Sequence, residues 1–404
     1  MTMALGLCGC GGMARRHLLG LKKLQAVGRL EFDLVGVGDP VRGQGEGVAN
    51  LAHELFGRRP QVFASFGDLH RALPHLDALD ITSSPDTHVA IGLEAFAAGV
   101  HVMVEKPIAL TVPQGLQLVQ AAADAGCKLA VAENYRRDPI NRLAKALIEA
   151  DAVGQVFLAV QASSGGGERV IITPWRHQKE TGGIVLDMGV HYTDLLEFYL
   201  GPIESVVGMN RTVDHRRVDA NGSWHAVNAE DLTVGVARFQ SGAIANLLLN
   251  LAGRGEQQFS RMMYGVGGSL SIPPDRTGKL LKLVQRCEGR DVALTEAEQL
   301  ALVPDFALDE TTAALFGGAR LTSYTLPWSD IDANLLATEY DDFVQAILTD
   351  RPPEVSGQDG LRSLALMYGF LESERVGRFM HIGELLSADP LPYQQEVLAA
   401  QAAR

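Results

Sequence analysis

Asp187 and His191 lie four residues apart in the stretch Gly182-Gly183-Ile184-Val185-Leu186-Asp187-Met188-Gly189-Val190-His191-Tyr192-Thr193-Asp194. On a helix that spacing puts both on one face, one turn apart, and Asp194 follows on the same stripe. A carboxylate beside a histidine raises the imidazole pKa and sets its orientation, as a general base requires. Almost everything else from Ile184 to Leu200 is apolar, which predicts a helix buried nearly all round with one polar seam. Buried ionisable groups must find partners, so a structural Asp–His pair that satisfies itself in a core is the competing reading. Lys106 is the next candidate. It sits in Glu105-Lys106-Pro107, where the proline disfavours the helical region for the lysine. A lysine held there donates to a substrate oxygen and stabilises developing alkoxide charge. The plainer reading is a surface lysine beside a turn.

These groups need a scaffold, and the first third of the chain supplies one. Met3–Cys8 reads as a short buried strand, and Gly9-Cys10-Gly11-Gly12-Met13-Ala14 fits G-x-G-x-x-A. Gly9 permits the tight turn, Gly11 lets the backbone approach a pyrophosphate, and Ala14 allows close helix–strand packing. A helix opening at Gly12 and Met13 points its amides at phosphates. A second strand ends at Asp39, about 25 residues past the fingerprint, where a carboxylate binds ribose hydroxyls and repels a 2′-phosphate. NAD is therefore the expected cofactor; Arg42 keeps NADP open. Strand–helix alternation continues through Ser84-Pro85-Asp86-Thr87-His88, a turn at a strand's carboxyl end, then Glu105-Lys106-Pro107, and ends at Glu133-Asn134. The fold class is α/β: a doubly wound parallel sheet over residues 1–138, then a second α/β domain over 139–404.

In that second part Val156–Ser163, Ile203–Asn210, Leu232–Phe239, Ala243–Leu251 and Ser260–Gly265 alternate as strands of an antiparallel sheet. Residues 277–332 carry no motif and read as an insertion that caps the site, extends an oligomer contact or decorates the surface. Asn334–Leu348 and Gly360–Val376 are expected as packing helices. The tail from Asp389 has little signal and is expected to fray.

Composition bounds the rest. Of 404 residues 47% are apolar and 21% charged, with a net charge of −13, so neither nucleic acid nor an anionic membrane surface is an expected partner. No apolar run is long enough for a membrane span, and the N-terminus lacks a basic n-region. Four cysteines without a disulfide framework or paired C-x-x-C suit a reduced, cytoplasmic protein, and no metal site is expected.

With these pieces in order, the chain resembles the Gfo/Idh/MocA family of glucose–fructose oxidoreductase, inositol dehydrogenase and relatives. The carriers are the Gly9–Ala14 loop, Ser84–His88, Glu105-Lys106-Pro107, Glu133-Asn134-Tyr135-Arg136-Arg137, Trp175-Arg176 and Gly182–Asp194. The resemblance implies an N-terminal Rossmann domain and a C-terminal domain with an open, mostly antiparallel sheet that makes homodimer or homotetramer contacts. It matches Lys106, Asp187 and His191 to the family's catalytic residues, with Asp187 orienting His191. It sets Ser84, Pro85, His88, Glu105, Asn134 and Arg176 with Lys106 on the cofactor side. Arg137 and Trp175 join Lys106, Asp187 and His191 around substrate. Ile184 stands where many members have a third glycine. The implied activity is NAD(P)-dependent oxidation of a secondary hydroxyl on a sugar, cyclitol or glycoside. Two alternatives remain: a glycosidase that keeps NAD and oxidises C3 transiently, for which Tyr135 and Tyr192 are available bases, and a non-catalytic dinucleotide sensor.

Overall fold

A computed structural model describes residues 2–403. The expected alternation runs β1 (Met3–Cys8), α1 (Gly12–Ala26), β2 (Phe32–Gly38), α2 (Arg42–Phe56), β3 (Gln61–Phe63), α3 (Phe66–Ala72), β4 (Ala78–Ile81), α4 (Pro85–Ala97), β5 (His101–Glu105), α5 (Val112–Asp124) and β6 (Leu129–Ala132). The strands are parallel in the order β3-β2-β1-β4-β5-β6. This is the doubly wound order, and the chain reverses direction across the sheet between β1 and β4. Strands β4 and β6 are buried along their whole length, as a sheet covered by helices on both faces requires.

The second sheet follows α6 (Pro139–Glu149). In chain order its elements are β7 (Val156–Gly166), α7 (Gly183–Leu200), β8 (Ile203–Arg211), the hairpin β9 (Arg216–Val218) and β10 (Trp224–Ala226), β11 (Leu232–Phe239), β12 (Ile244–Gly253), β13 (Gln258–Gly265), β14 (Gly268–Ser271), β15 (Lys282–Cys287) and β16 (Arg290–Ala293). There follow α8 (Glu296–Leu302), α9 (Glu310–Phe316), α10 (Trp328–Leu348), α11 (Gly357–Val376), β17 (Met380–His381), α12 (Ile382–Leu385) and α13 (Pro392–Ala402). Nine strands order as β16-β15-β14-β13-β7-β12-β11-β8-β17, with β7 and β12 parallel and every other pair antiparallel. In β11 burial alternates strictly, so Thr233, Ala237 and Phe239 face inward while Val234 and Val236 face out. Helices α7 and α11 cover the inner face; Gly235 of β11 leaves the space that the Phe370 ring fills.

Three features of the packing go beyond local pattern. Helix α2 begins at Arg42, because Gly45 and Gly47 bring it against Val62 and Arg15 despite poor helix propensity. Helix α10 returns to the first sheet: Tyr340, Phe343 and Val344 share a core with Leu5, Leu18 and Leu21, and Gly20 of α1 abuts Leu336. The tail does not fray. Gln394 accepts from Val112 N at 2.8 Å, and Tyr393 and Val397 of α13 are buried. Residues 277–332 hold β15, β16, α8 and α9, and Tyr324 ties them to Asp138 at 2.9 Å. Among the described residues no helix is long and apolar enough to cross a membrane, and no group of three His, Cys, Asp or Glu is placed to hold a metal.

Candidate active site

The reversal between β1 and β4 opens a cleft of about 750 Å³. Its wall includes Gly9, Gly11, Gly12, Met13, Asp39 and Ser84 from the first sheet, with Trp175 and Arg176 reaching over from the segment before α7. Gly9 has φ +95°, and a Cβ there would stand 2.4 Å from Ser83 N, so only glycine closes this turn. Gly11 differs: a Cβ there would meet nothing within 4 Å. The protein itself does not need glycine at 11, so the open space fits a pyrophosphate lying close over the backbone. Gly11→Val should therefore lower the melting temperature by only about 2–4 °C, the cost of a poor residue at the N-cap of α1. It should also abolish NAD binding by calorimetry. Retained binding would show that the pyrophosphate lies elsewhere.

Asp39 accepts from Cys10 N at 2.7 Å and Val41 N at 2.8 Å, which fixes its carboxylate on the cleft wall with lone pairs to spare. Asn134 Oδ1 is buried with no hydrogen-bond partner, an acceptor suited to a carboxamide N–H. Ile172 lines the cleft at φ +63°, a strained conformation for a β-branched residue.

Next to the cleft the polar seam of α7 meets the turn after β5. Lys106 Nζ donates to Asp187 Oδ1 at 3.0 Å and to the Asp187 carbonyl at 2.9 Å; Arg176 Nε donates to Asp187 Oδ2 at 3.2 Å. Burial alone would raise the Asp187 pKa, but Lys106 and Arg176 outweigh it and hold the carboxyl below its usual range. Asp187 therefore serves two cations, and the expected Asp187–His191 hydrogen bond does not form. His191 Nδ1 instead meets Glu133, at 2.8 Å and 2.7 Å to the two oxygens. Glu133 also accepts from Tyr135 N at 3.0 Å. Burial pushes the Glu133 carboxyl up to about 7, despite that backbone N–H and the charges of Lys106 and Arg136. Burial, then Lys106 and Arg276, drive the His191 pKa well below its ordinary value, so the rise expected from Asp187 is overridden. The Tyr135 ring stacks on the imidazole at 4.0 Å and 5°, and Nε2 is left without a protein partner.

Other expected site residues lie elsewhere. Arg137 is fully buried on Asp342 at 3.0 Å and Glu354 at 2.9 Å; with its charge compensated inside the fold it does not reach the pocket. His88 is buried, with its nitrogens on Pro107 O at 3.0 Å and Ser83 O at 3.2 Å, so it braces the two turns from behind the cleft. Glu105 turns inward to His17 Nε2 at 3.0 Å. Pro85 and Ala14 are buried in helix packing, Pro85 as the first residue of α4. Asp194 pairs with Arg136, away from His191. Sequence reasoning did not assign Glu133, His17 or Arg276. Glu133 did carry a signal, since it directly follows β6 as Glu105 closes β5.

A glycine loop opening a helix at the reversal of a doubly wound sheet, beside an imidazole with one free nitrogen, defines a dinucleotide-dependent oxidoreductase. Residues 3–133 match the model of the oxidoreductase family with an NAD-binding Rossmann fold, and residues 141–271 match that of the GFO/IDH/MocA C-terminal domain. The chain belongs to the GFO/IDH/MocA family of oxidoreductases. It is 23% identical to the D-apiose dehydrogenase of Paraburkholderia graminis, over 95% of this chain and 91% of that protein. It is 24% identical to the inositol 2-dehydrogenase of Rhizobium meliloti, over 91% of this chain and 95% of that protein. The structure of a levoglucosan dehydrogenase in complex with NADH superposes with a TM-score of 0.74 at 20% identity, covering 95% of this chain and 99% of that one.

Proposed function

We propose that this protein oxidises a secondary hydroxyl of a sugar or cyclitol with NAD. The observation that carries the reading is the Lys106–Asp187–Arg176 cluster at the edge of the dinucleotide cleft, with His191, whose Nε2 makes no hydrogen bond, one turn further along α7. Gly9, Gly11 and the N-terminus of α1 would hold the pyrophosphate, Asp39 the ribose hydroxyls, and Asn134 Oδ1 the carboxamide. NAD, when bound, supplies the hydride acceptor. His191 Nε2 takes the hydroxyl proton, while its Nδ1–H is held by Glu133. Lys106 donates to the same oxygen and compensates its developing charge; Asp187 keeps the ammonium pointed there, and Arg176 keeps Asp187 in place. The polyol class follows from the names of the relatives and from a site whose several charged groups would pair with neighbouring hydroxyls.

The test is absorbance at the reduced-nicotinamide band, with NAD or NADP and a panel of inositols, aldoses and anhydrosugars. Band growth with NAD and one polyol supports the reading. Release of an aglycone from glycosides without net NADH would replace it with the redox glycosidase.

The same reading includes an oligomer. Met209, Val234, Val236, Ile244 and Tyr264 stand exposed on the outer face of the nine-stranded sheet, on four of the five strands in the run β13-β7-β12-β11-β8. An apolar face of this kind suits burial against a second copy. Val236→Glu should shift the protein to monomer in light scattering, with the monomer still folded; an unchanged mass would place the contact elsewhere.

A further inference from the structure

Two arginines near the reacting groups share one carboxylate. Arg16 Nε donates to Asp332 Oδ2 at 2.7 Å, and Arg276 Nη1 donates to Asp332 Oδ1 at 3.1 Å. The carboxylate is almost closed off, with 5% of its side chain exposed, whereas Arg16 keeps 32% and Arg276 19%. Two guanidiniums therefore share one hydrogen-bonded carboxylate, and the more exposed of them, Arg16, lines the cleft. Trp328, more than half exposed, lies 5.7 Å from each guanidinium. A guanidinium pair made only to hold α1 against α10 would match its charges; this one leaves donors free. Arg276 Nε makes no hydrogen bond, and Arg16 Nη1 meets only the Met13 sulfur, a weak acceptor.

The cluster adjoins the reacting groups. Arg16 lines the same cleft as Gly11 and Trp175. Arg276 Nη2 donates to Tyr135 Oη at 3.0 Å, and the Tyr135 ring is the one stacked on His191. Arg276 is held at φ +59°, where non-glycine residues are uncommon, by Asp138 Oδ2 accepting its backbone N–H at 2.9 Å. Strain retained in this way next to reacting groups is a mark of positioning.

We propose that Arg16 and Arg276 form an oxyanion subsite in which Arg276 is one side chain, Tyr135, away from His191, so that the substrate is a sugar or polyol bearing a carboxylate or a phosphate. This rests on the dehydrogenase reading above. Arginine suits the task because its planar fork meets two oxygens at once. The exposed Trp328 offers an apolar face beside it for the ring of the same substrate.

The experiment is calorimetric titration of acetate and of inorganic phosphate into NAD-loaded protein at constant ionic strength. Saturable 1:1 binding of at least one anion is expected, weakened about tenfold or more in both Arg16→Met and Arg276→Met, the worth of one hydrogen bond to a charged group. Tighter acetate assigns a carboxylated substrate; tighter phosphate assigns a phosphorylated one. Arg276→Met also removes the support of Tyr135, so Arg16→Met, at a half-buried position on α1, is the variant that decides if the other fails to fold. Absence of binding by both anions, or binding unchanged in the variants, overturns the subsite. An equal loss of NAD affinity in both variants also overturns it, by assigning the arginines to the cofactor. Turnover of neutral polyols without anion binding sinks this inference alone. Anion binding with no hydride transfer from any alcohol sinks the dehydrogenase reading, and the subsite's role with it.

Discussion

Glu133→Gln should lower the rate of alcohol oxidation by about 10²–10⁴-fold, the usual worth of a correctly poised general base. NAD affinity should stay unchanged. In the proposed reaction, ionised Glu133 accepts Nδ1–H, which leaves the Nε2 lone pair for the hydroxyl proton. Protonated Glu133 donates to Nδ1 instead, and the proton then sits on Nε2, where it blocks the base. The carboxyl therefore selects the tautomer, and burial places its titration at about 7. The direction follows: oxidation should rise with pH through about 7 as Glu133 ionises. His191, pushed well below its ordinary pKa, is already neutral there. The glutamine variant should lose this limb from the kcat profile, because an amide does not titrate. His191→Ala should fall equally far, and the double variant hardly further, since the two act as one unit. A Glu133→Gln enzyme within threefold of wild type, or one that keeps the limb near pH 7, would return His191 to the plain core histidine that its spacing also allowed.

His17→Ala should destabilise the fold by about 3–5 kcal/mol, the range for removing one partner from a buried ionic network. His17 is wholly buried on α1, with Nδ1 on Asp80 at 2.9 Å and Nε2 on Glu105 at 3.0 Å. Tyr340 of α10 donates to the same Asp80. Burial pulls the imidazole pKa down, but the charges and hydrogen bonds of Asp80 and Glu105 overcome it and raise the pKa well above its ordinary value. A histidine raised on folding contributes its full stability below about 6.5, its unfolded value, and loses it as pH climbs through the folded value. The wild type should therefore weaken on the alkaline side, and the alanine variant should lack that dependence. Without the imidazolium, two buried carboxylates lose the cation that lies between them. Urea midpoints of the two proteins from pH 6 to 10 check this; a loss under about 1 kcal/mol would show that solvent or rearrangement replaces the histidine. Because Glu105 precedes Lys106, the same variant should also loosen the lysine and lower kcat more than it changes NAD affinity.

What could be read from the chain alone was local. The Gly9–Ala14 loop, the period-two strands and the i,i+4 spacing of Asp187 and His191 each depend on residues within a few positions of one another, where backbone geometry dictates the outcome. The two sheets and the helix carrying the seam followed from these. Partner choice within the seam did not. Asp187 lies one turn from His191, yet it pairs with Lys106 from 81 residues away, and His191 pairs with Glu133 from 58 residues away. Helical spacing states which side chains share a face, not which groups another element brings to that face. In a buried site the strongest available counter-charge wins: two cations claimed Asp187, and the remaining carboxylate claimed the histidine. The same holds for Arg137, whose motif position suggested the pocket but whose charge is spent on Asp342 and Glu354, more than 200 residues on. Arg276 meets Tyr135 across 141 residues, from a segment with no readable pattern. Sequence alone determined the scaffold and the residue types at its heart; tertiary structure decided which charge neutralises which, because that choice is made by desolvation and proximity in three dimensions.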